Sequence, residues 1–201
     1  MGSSGVPITM VSGLPRSGTS MMMQMLEAGG SPVLTDRARA PDEDNPRGYY
    51  ELEAVKRTRK DAGWLAEARG KAVKMVSMLL YDLPVEYRYR IVFMRRDLPE
   101  ILASQRAMLE RRGDTATSGV DDALMGEKFA QHLAEIGSWL AAQENMDVLY
   151  LRYDEVLADP LGKASEIAAF LDCGLDAAAM APSCDPQLQR QRARAVCAIL
   201  G

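Results

Sequence analysis

The chain has 201 residues, of which 47% are apolar, and its formal net charge is −4. This length and composition are typical of one globular domain with a sizeable core, and the acidic balance does not indicate a general nucleic-acid-binding protein. The three cysteines, at positions 173, 184 and 197, lack the spacing of a zinc site or of a disulfide framework, and no apolar run reaches the roughly 18 residues of a membrane span. We therefore predict a single cytoplasmic domain over residues 1–201, with residues 1–5 disordered. We also predict no signal peptide, no membrane span and no nucleic-acid partner, and the sequence leaves the oligomeric state open.

The first elements along the chain are a short apolar strand at 8–12, a glycine-containing loop at 13–19 and a helix at 20–28. Polar residues and turn signals then predict a long loop at 35–50, followed by a helix at 52–60. Further strands are predicted at 72–76, 91–94 and 148–151, and further helices at 97–112, 121–145, 159–171 and 187–200. Strands that alternate with helices predict an α/β fold, with a central parallel sheet of about four to five strands flanked by helices.

The loop Gly13-Leu14-Pro15-Arg16-Ser17-Gly18-Thr19-Ser20 has the glycine spacing of a P-loop and lies between a predicted strand and a predicted helix. The backbone N–H groups of such a loop form a nest for a phosphate, and the helix N-terminus adds positive potential. A nucleoside triphosphatase has lysine directly after the second glycine, whereas this chain has Thr19 there and a cation at Arg16. A P-loop-type three-layer fold with an anion site is the favoured interpretation. The alternatives are a plain strand-to-helix turn and a divergent kinase or triphosphatase.

The segment from Pro15 to Ser20 resembles the donor-binding loop of the sulfotransferase superfamily, which reads Pro-Arg/Lys-Ser-Gly-Thr-Ser/Thr, at every position. The resemblance implies that the loop holds the 5'-phosphosulfate of 3'-phosphoadenosine-5'-phosphosulfate (PAPS). It implies that the cation at Arg16 contacts the bridging or transferring group. The donor-binding residues that it indicates in this loop are Pro15, Arg16, Ser17, Gly18, Thr19 and Ser20.

A second element is similar to the same family, in which an arginine at a strand end and a serine eight residues later bind the 3'-phosphate. Arg96 and Ser104 have that separation, and Arg95 is the alternative if the register slips by one. Taken singly, Arg96 could equally form a surface salt bridge, and Ser104 could pack a helix.

One departure concerns the C-terminus, because cytosolic members of the family that act on small phenols and steroids close the 3'-phosphate site with an Arg-Lys-Gly loop that this chain lacks. Arg190, with Arg192 and Arg194, is a candidate substitute, although a solvated helix face explains these residues as well. The small bacterial-type sulfotransferases are therefore the closer comparison.

The acceptor hydroxyl also needs a base, and a carboxylate after the donor loop is the expected one. Glu51 is the first candidate and Glu43 the second, although Glu51 could merely cap the next helix. The lone histidine, His132, lies mid-helix, where a structural role is more common. Lys71 and Lys74 flank a strand that could border the acceptor, and strand alternation favours Lys74 as the inward one.

The resemblance implies a metal-independent enzyme that moves a sulfuryl group from PAPS to a hydroxyl or amine of a small molecule, glycan or lipid, with Arg16 stabilising the leaving phosphate. The alternatives are a non-catalytic protein that binds a nucleotide or phosphate on the same fold and, less favoured, a P-loop kinase. The identity of the acceptor cannot be read from the sequence.

Overall fold

The computed structural model describes residues 5–37, 48–111 and 121–184. Its centre is a four-stranded sheet in which every neighbouring pair is parallel, with the spatial order β2-β1-β3-β4. The strands are β1 Ile8–Gly13, β2 Ala72–Val76, β3 Tyr89–Arg95 and β4 Met146–Arg152. The predicted parallel α/β fold is confirmed. The central strand β1 is buried along its whole length, as expected for a strand covered on both faces.

Seven α-helices accompany the sheet in the described part of the chain. They are α1 Thr19–Ala28, α2 Leu65–Ala68, α3 Leu98–Arg111, α4 Asp122–Ala141, α5 Tyr153–Ala158, α6 Pro160–Leu171 and α7 Ala177–Met180. Three short 3₁₀ helices lie at Glu53–Arg57, Ser77–Asp82 and Ala181–Ser183. Local sequence explains where two of these helices begin. The carboxylates of Asp121 and Asp159 cap α4 and α6, and Pro160 occupies the first position of α6, where a helix accepts proline.

Helices cover both faces of the sheet and so produce three layers. On one face, Val11 and Val92 pack with Met22, Met25 and other apolar residues of α1, α5, α6 and α7. The opposite face packs against α2, α4 and the 3₁₀ segments Glu53–Arg57 and Ser77–Asp82. The methionines of α1 therefore fill the core, where their flexible side chains adapt to irregular gaps.

Some predicted elements differ from the structure. The helix predicted at 52–60 is only the 3₁₀ segment Glu53–Arg57, and α2, α5 and α7 were not predicted. The predictions for residues 1–4, for 38–47 with Glu43, for 112–120 and for 185–201 with Arg190 lie outside the described residues. Among the described helices, none is both long and apolar enough to cross a bilayer.

Candidate donor and acceptor site

The loop between β1 and α1 has backbone geometry that requires its glycines. Gly13 and Gly18 have φ values of 147° and 101°, in the region that side chains disfavour. A Cβ atom at Gly18 would lie 2.5 Å from Cδ2 of Tyr153, and one at Gly13 would lie 2.5 Å from the carbonyl oxygen of Met94. The loop is therefore seated directly on the ends of the neighbouring elements, at the carboxyl edge of the sheet, where open α/β folds bind their ligands.

The structure brings the two motifs of the sequence together. Nε of Arg16, in the loop, donates a hydrogen bond to Oγ of Ser104 on α3 at 2.9 Å. Nη1 of Arg96, just after β3, donates to the backbone carbonyl oxygen of Arg16 at 3.2 Å. The predicted arginine–serine pair thus lies on the same side of the sheet as the loop and touches it.

The side chain of Arg96 is largely enclosed by other protein groups. Its Nε donates to Oε2 of Glu100 at 2.8 Å, and the two side chains are only 9% and 11% exposed. Its guanidinium carbon also lies 4.5 Å from the centre of the Tyr153 ring, in cation–π geometry. Arg95 instead stacks on the ring of Tyr150, 4.2 Å from its centre, and is exposed. Of the two arginines that the sequence left open, it is therefore Arg96 that faces the loop.

Within the described residues, the hydroxyl of Ser17 is a buried polar group without a hydrogen-bond partner. Buried hydroxyl groups normally have one, and an unpartnered group needs an explanation. Ser17 lies in the middle of the loop, where a bound anion would accept its hydrogen bond. The unpartnered Ser17 hydroxyl is therefore consistent with the predicted phosphate-binding loop.

A second cation reaches the loop from β2. Nζ of Lys74 donates to Oγ of Ser20 at 3.3 Å and also to the carbonyl oxygen of Tyr49. Lys71 instead pairs with Glu67 at 3.3 Å on the outer surface. The strand alternation that favoured Lys74 over Lys71 as the inward lysine agrees with this placement, although the sequence offered no sign that Lys74 touches the donor loop.

Glu51 lies two residues after Tyr49, whose carbonyl oxygen accepts the hydrogen bond from Lys74. Its carbonyl oxygen accepts hydrogen bonds from Oγ1 of Thr35 at 2.7 Å and from the amide of Asp36. The amide of Glu53, at the start of the 3₁₀ segment, is capped by the carboxylate of Asp36 at 2.7 Å. The cap that the sequence offered as an alternative role for Glu51 is thus supplied by Asp36.

The neighbouring Tyr50 anchors the segment that carries Glu51. Its hydroxyl donates to the Glu27 carboxylate on α1. Burial, together with this carboxylate, raises the pKa of Tyr50 to about 12. A neutral phenol therefore ties the segment to α1 over the whole physiological pH range.

His132 is buried on α4, and its Nε2 lies 2.8 Å from Oγ of Ser77, the residue that directly follows β2. Burial lowers the pKa of the imidazole, and Glu135 opposes part of that shift. Because Ser77 is also buried, this pair joins α4 to the end of β2 from inside the protein.

Comparisons with known proteins bear on the family and the fold of the chain. The model of the sulfotransferase domain family matches residues 7–188. The sulfotransferase domain of the Synechococcus PCC 7002 olefin synthase has a TM-score of 0.54 at 14% identity, with 94% of this chain and 84% of that chain covered. The sulfotransferase domain from the curacin biosynthetic pathway has a TM-score of 0.52 at 16% identity, with 94% and 79% covered.

A third solved structure, mouse sulfotransferase SULT7A1 complexed with PAP, has a TM-score of 0.51 at 18% identity, with 89% of this chain and 62% of that chain covered. At these identities the three likenesses show a shared fold alone. No protein of curated function matches the sequence.

Proposed function

The chain belongs to the sulfotransferase domain family, and on that premise we propose that it transfers the sulfuryl group of PAPS to a hydroxyl or amine of an acceptor. The observation that carries the proposal is the hydrogen bond from Arg16 to Ser104, which joins the loop to the second motif. That contact brings the loop, which suits the 5'-phosphosulfate of the donor, next to Arg96 and Ser104, which suit its 3'-phosphate. The mouse protein of similar fold was solved with PAP, the desulfated product of this donor.

In the proposed complex the 5' end of the donor lies in the loop, and the 3'-phosphate lies against Arg96 and Ser104. Loop amides and side-chain hydroxyls donate to the 5'-phosphosulfate, and the helix N-terminus adds a partial positive charge. The residues assigned to the 5' end are Pro15, Arg16, Ser17, Gly18, Thr19 and Ser20. Arg190 remains a prediction for the 3'-phosphate.

The reaction forms a bond between the acceptor oxygen and sulfur while the bond from sulfur to the 5'-phosphate oxygen breaks. The leaving phosphate takes the electron pair of the broken bond and gains negative charge. Arg16 belongs to the loop and Lys74 contacts the loop through Ser20, and in this proposal both side chains stabilise that charge. An arginine stays charged throughout, and charge neutralisation by these two side chains needs no metal ion.

The proton of the acceptor hydroxyl goes to a carboxylate in this proposal. Glu51 is the proposed base because its segment touches Ser20 and Lys74 through Tyr49, and Glu43 is the second candidate. A carboxylate with an ordinary pKa near 4 is a weak base, so its contribution depends on being held close to the acceptor.

The activity is proposed for the cytoplasm, in keeping with the free thiols of Cys173 and Cys184. The acceptor classes implied by the family are small molecules, glycans and lipids.

Donor binding is tested by calorimetry with PAP on the full chain. We expect micromolar affinity that does not require magnesium. Absence of binding by the wild type would overturn the proposal, whereas binding without transfer to any acceptor would favour a non-catalytic nucleotide-binding protein.

The base is tested with Glu51→Gln, which removes the negative charge but keeps the shape. We expect turnover to fall about 100-fold, the usual contribution of a positioned base, with the affinity for PAP unchanged. Glu53→Gln is the matched control, because Glu53 pairs with Lys56 on the exposed surface. Equal turnover in the two variants would remove Glu51 from the mechanism.

A further inference from the structure

The first turns of α3 hold both arginines of the candidate site. Nε of Arg16 donates a hydrogen bond to Oγ of Ser104 at 2.9 Å. In the same way, Nε of Arg96 donates to Oε2 of Glu100 at 2.8 Å. Glu100 and Ser104 are four positions apart in the helix, so they lie on one side of it, one turn from each other. Nη1 of Arg96 donates to the carbonyl oxygen of Arg16, and the four residues therefore form a closed ring of contacts.

Glu100 is the member of this ring to which the proposed reaction gives no part. The side chains of Glu100 and Arg96 are only 11% and 9% exposed, so both charges are largely withdrawn from water. Such a pair gains little stability over apolar residues of similar size, because each ion loses its hydration. A carboxylate beside Arg96 also repels a phosphate that approaches this cation. Stability and charge alone therefore give no reason for a glutamate at this position.

The geometry of the pair does give a reason. A guanidinium is a planar fork whose N–H groups point in fixed directions. Glu100 binds Arg96 at Nε, the loop carbonyl binds it at Nη1, and the centre of the Tyr153 ring lies 4.5 Å from its guanidinium carbon. These contacts come from α3, the donor loop and α5, and together they fix the plane and the rotation of the fork. An arginine that is already ordered loses less entropy when a ligand binds.

On the basis of the proposed sulfotransferase function, we infer that Glu100 is a positioning residue, whose carboxylate holds Arg96 in the orientation that recognises the 3'-phosphate of the donor. Glu100 acts through Arg96 and does not touch the nucleotide. It thereby sets the preference of the site for a nucleotide with a 3'-phosphate over one without it. Binding at the 5' end depends little on Glu100, because Nε of Arg16 is held by Ser104 instead.

The test compares two nucleotides on the full chain, PAP and adenosine 5'-monophosphate (AMP), which lacks the 3'-phosphate. Calorimetry measures the affinity for PAP, and competition with PAP measures the affinity for AMP. Glu100→Met removes the carboxylate, and we expect the affinity for PAP to fall about tenfold, the scale of one hydrogen bond to a charged group, while that for AMP is unchanged. Glu100→Gln keeps an oxygen that can accept from Nε, and we expect a loss of only about threefold for PAP, because a neutral acceptor binds a guanidinium less strongly.

A double variant shows whether the effect passes through Arg96. Arg96→Met alone already removes the group that Glu100 positions, so adding Glu100→Met should cause no further loss of PAP affinity. Glu67→Gln is the matched control, because Glu67 forms a pair of the same spacing with Lys71 on the outer surface, and it should change neither affinity. Both nucleotides are measured on one preparation of each variant, so a fraction of unfolded protein does not alter the ratio of the two affinities.

Three outcomes would overturn the inference. The first is an equal loss of PAP and AMP affinity in Glu100→Met, which would show a general structural role. The second is a ratio of PAP to AMP affinity in Glu100→Gln that equals or exceeds the wild-type ratio, and this variant decides the question alone if Glu100→Met does not fold. The third is a further loss of PAP affinity when Glu100→Met is added to Arg96→Met. Failure of the wild type to bind PAP would overturn the proposed function itself and this inference with it, whereas normal binding by the wild type confines a negative result to Glu100.

Discussion

Arg16 and Ser104 are separated by 88 positions in the sequence, yet Nε of the arginine donates a hydrogen bond to the serine hydroxyl at 2.9 Å. The arginine belongs to the loop after β1 and the serine to the first turns of the helix after β3. Because β1 and β3 are parallel neighbours, their carboxyl ends meet at one edge of the sheet, and the segments that follow them meet as well. A ligand bound at this edge contacts both segments at once.

The first prediction separates the two adjacent arginines at the end of β3. Arg96→Ala should weaken PAP binding roughly 10- to 100-fold, since a hydrogen bond to a charged group contributes about 1.5–3 kcal/mol. Arg95→Ala, which removes only a side chain stacked on Tyr150, should change the affinity by less than about twofold by the same reasoning. Calorimetry measures both, with thermal melting to confirm that each variant is folded. Equal losses would contradict the assignment of Arg96.

The second prediction concerns the lysine at the loop. Lys74→Met should lower kcat about 100-fold or more, the scale seen when one stabilising donor of a developing charge is removed. Lys71→Met should leave kcat unchanged, because Lys71 forms a surface pair with Glu67 and such pairs contribute little. Steady-state turnover with PAPS measures the difference. A normal rate in Lys74→Met would mean that this lysine only holds Tyr49 in place.

The third prediction uses the unpartnered hydroxyl in the loop. Ser17→Ala should not destabilise the nucleotide-free protein, because the deleted hydroxyl makes no hydrogen bond within the described residues, but it should weaken PAP binding about tenfold. Ser12→Ala should show the reverse pattern, because Oγ of Ser12 donates to the carbonyl oxygen of Met75 at 2.8 Å in the core. Denaturant unfolding and calorimetry compare the two variants. Destabilisation by Ser17→Ala without nucleotide would indicate a structural role for this serine.

The fourth prediction concerns the dependence of stability on pH. Burial lowers the pKa of His132 below its ordinary value of 6.5. Below pH 6.5 the unfolded chain therefore binds a proton that the folded chain resists, so folding stability is full above this pH and falls as the pH decreases toward the lower folded-state pKa. His132→Asn, which cannot titrate, should lose less stability between pH 7 and pH 5 than the wild type. Denaturant unfolding at several pH values measures this, and parallel losses in both proteins would contradict it.

The sequence alone determined the parts of the protein that depend on neighbouring residues. A short apolar run followed by glycine predicted the buried strand β1, and the segment Pro15 to Ser20 predicted the anion loop, because strand burial and loop conformation leave local signatures. The α5 helix was not predicted, and the helix predicted at 52–60 is only the 3₁₀ segment Glu53–Arg57. In α5, Tyr153 and Val156 are held by packing against the core rather than by a local signal.

The tertiary structure decided which side chains of these elements meet. Arg96 rather than Arg95 contacts the loop, Lys74 reaches Ser20, and Met78 remains on the outside. These contacts join residues far apart in the chain, and they depend on strand order, register and the way in which α3 and α4 pack. The local pattern of residues contains none of this information, because the same side chains would face solvent or core after a shift of one position in a strand.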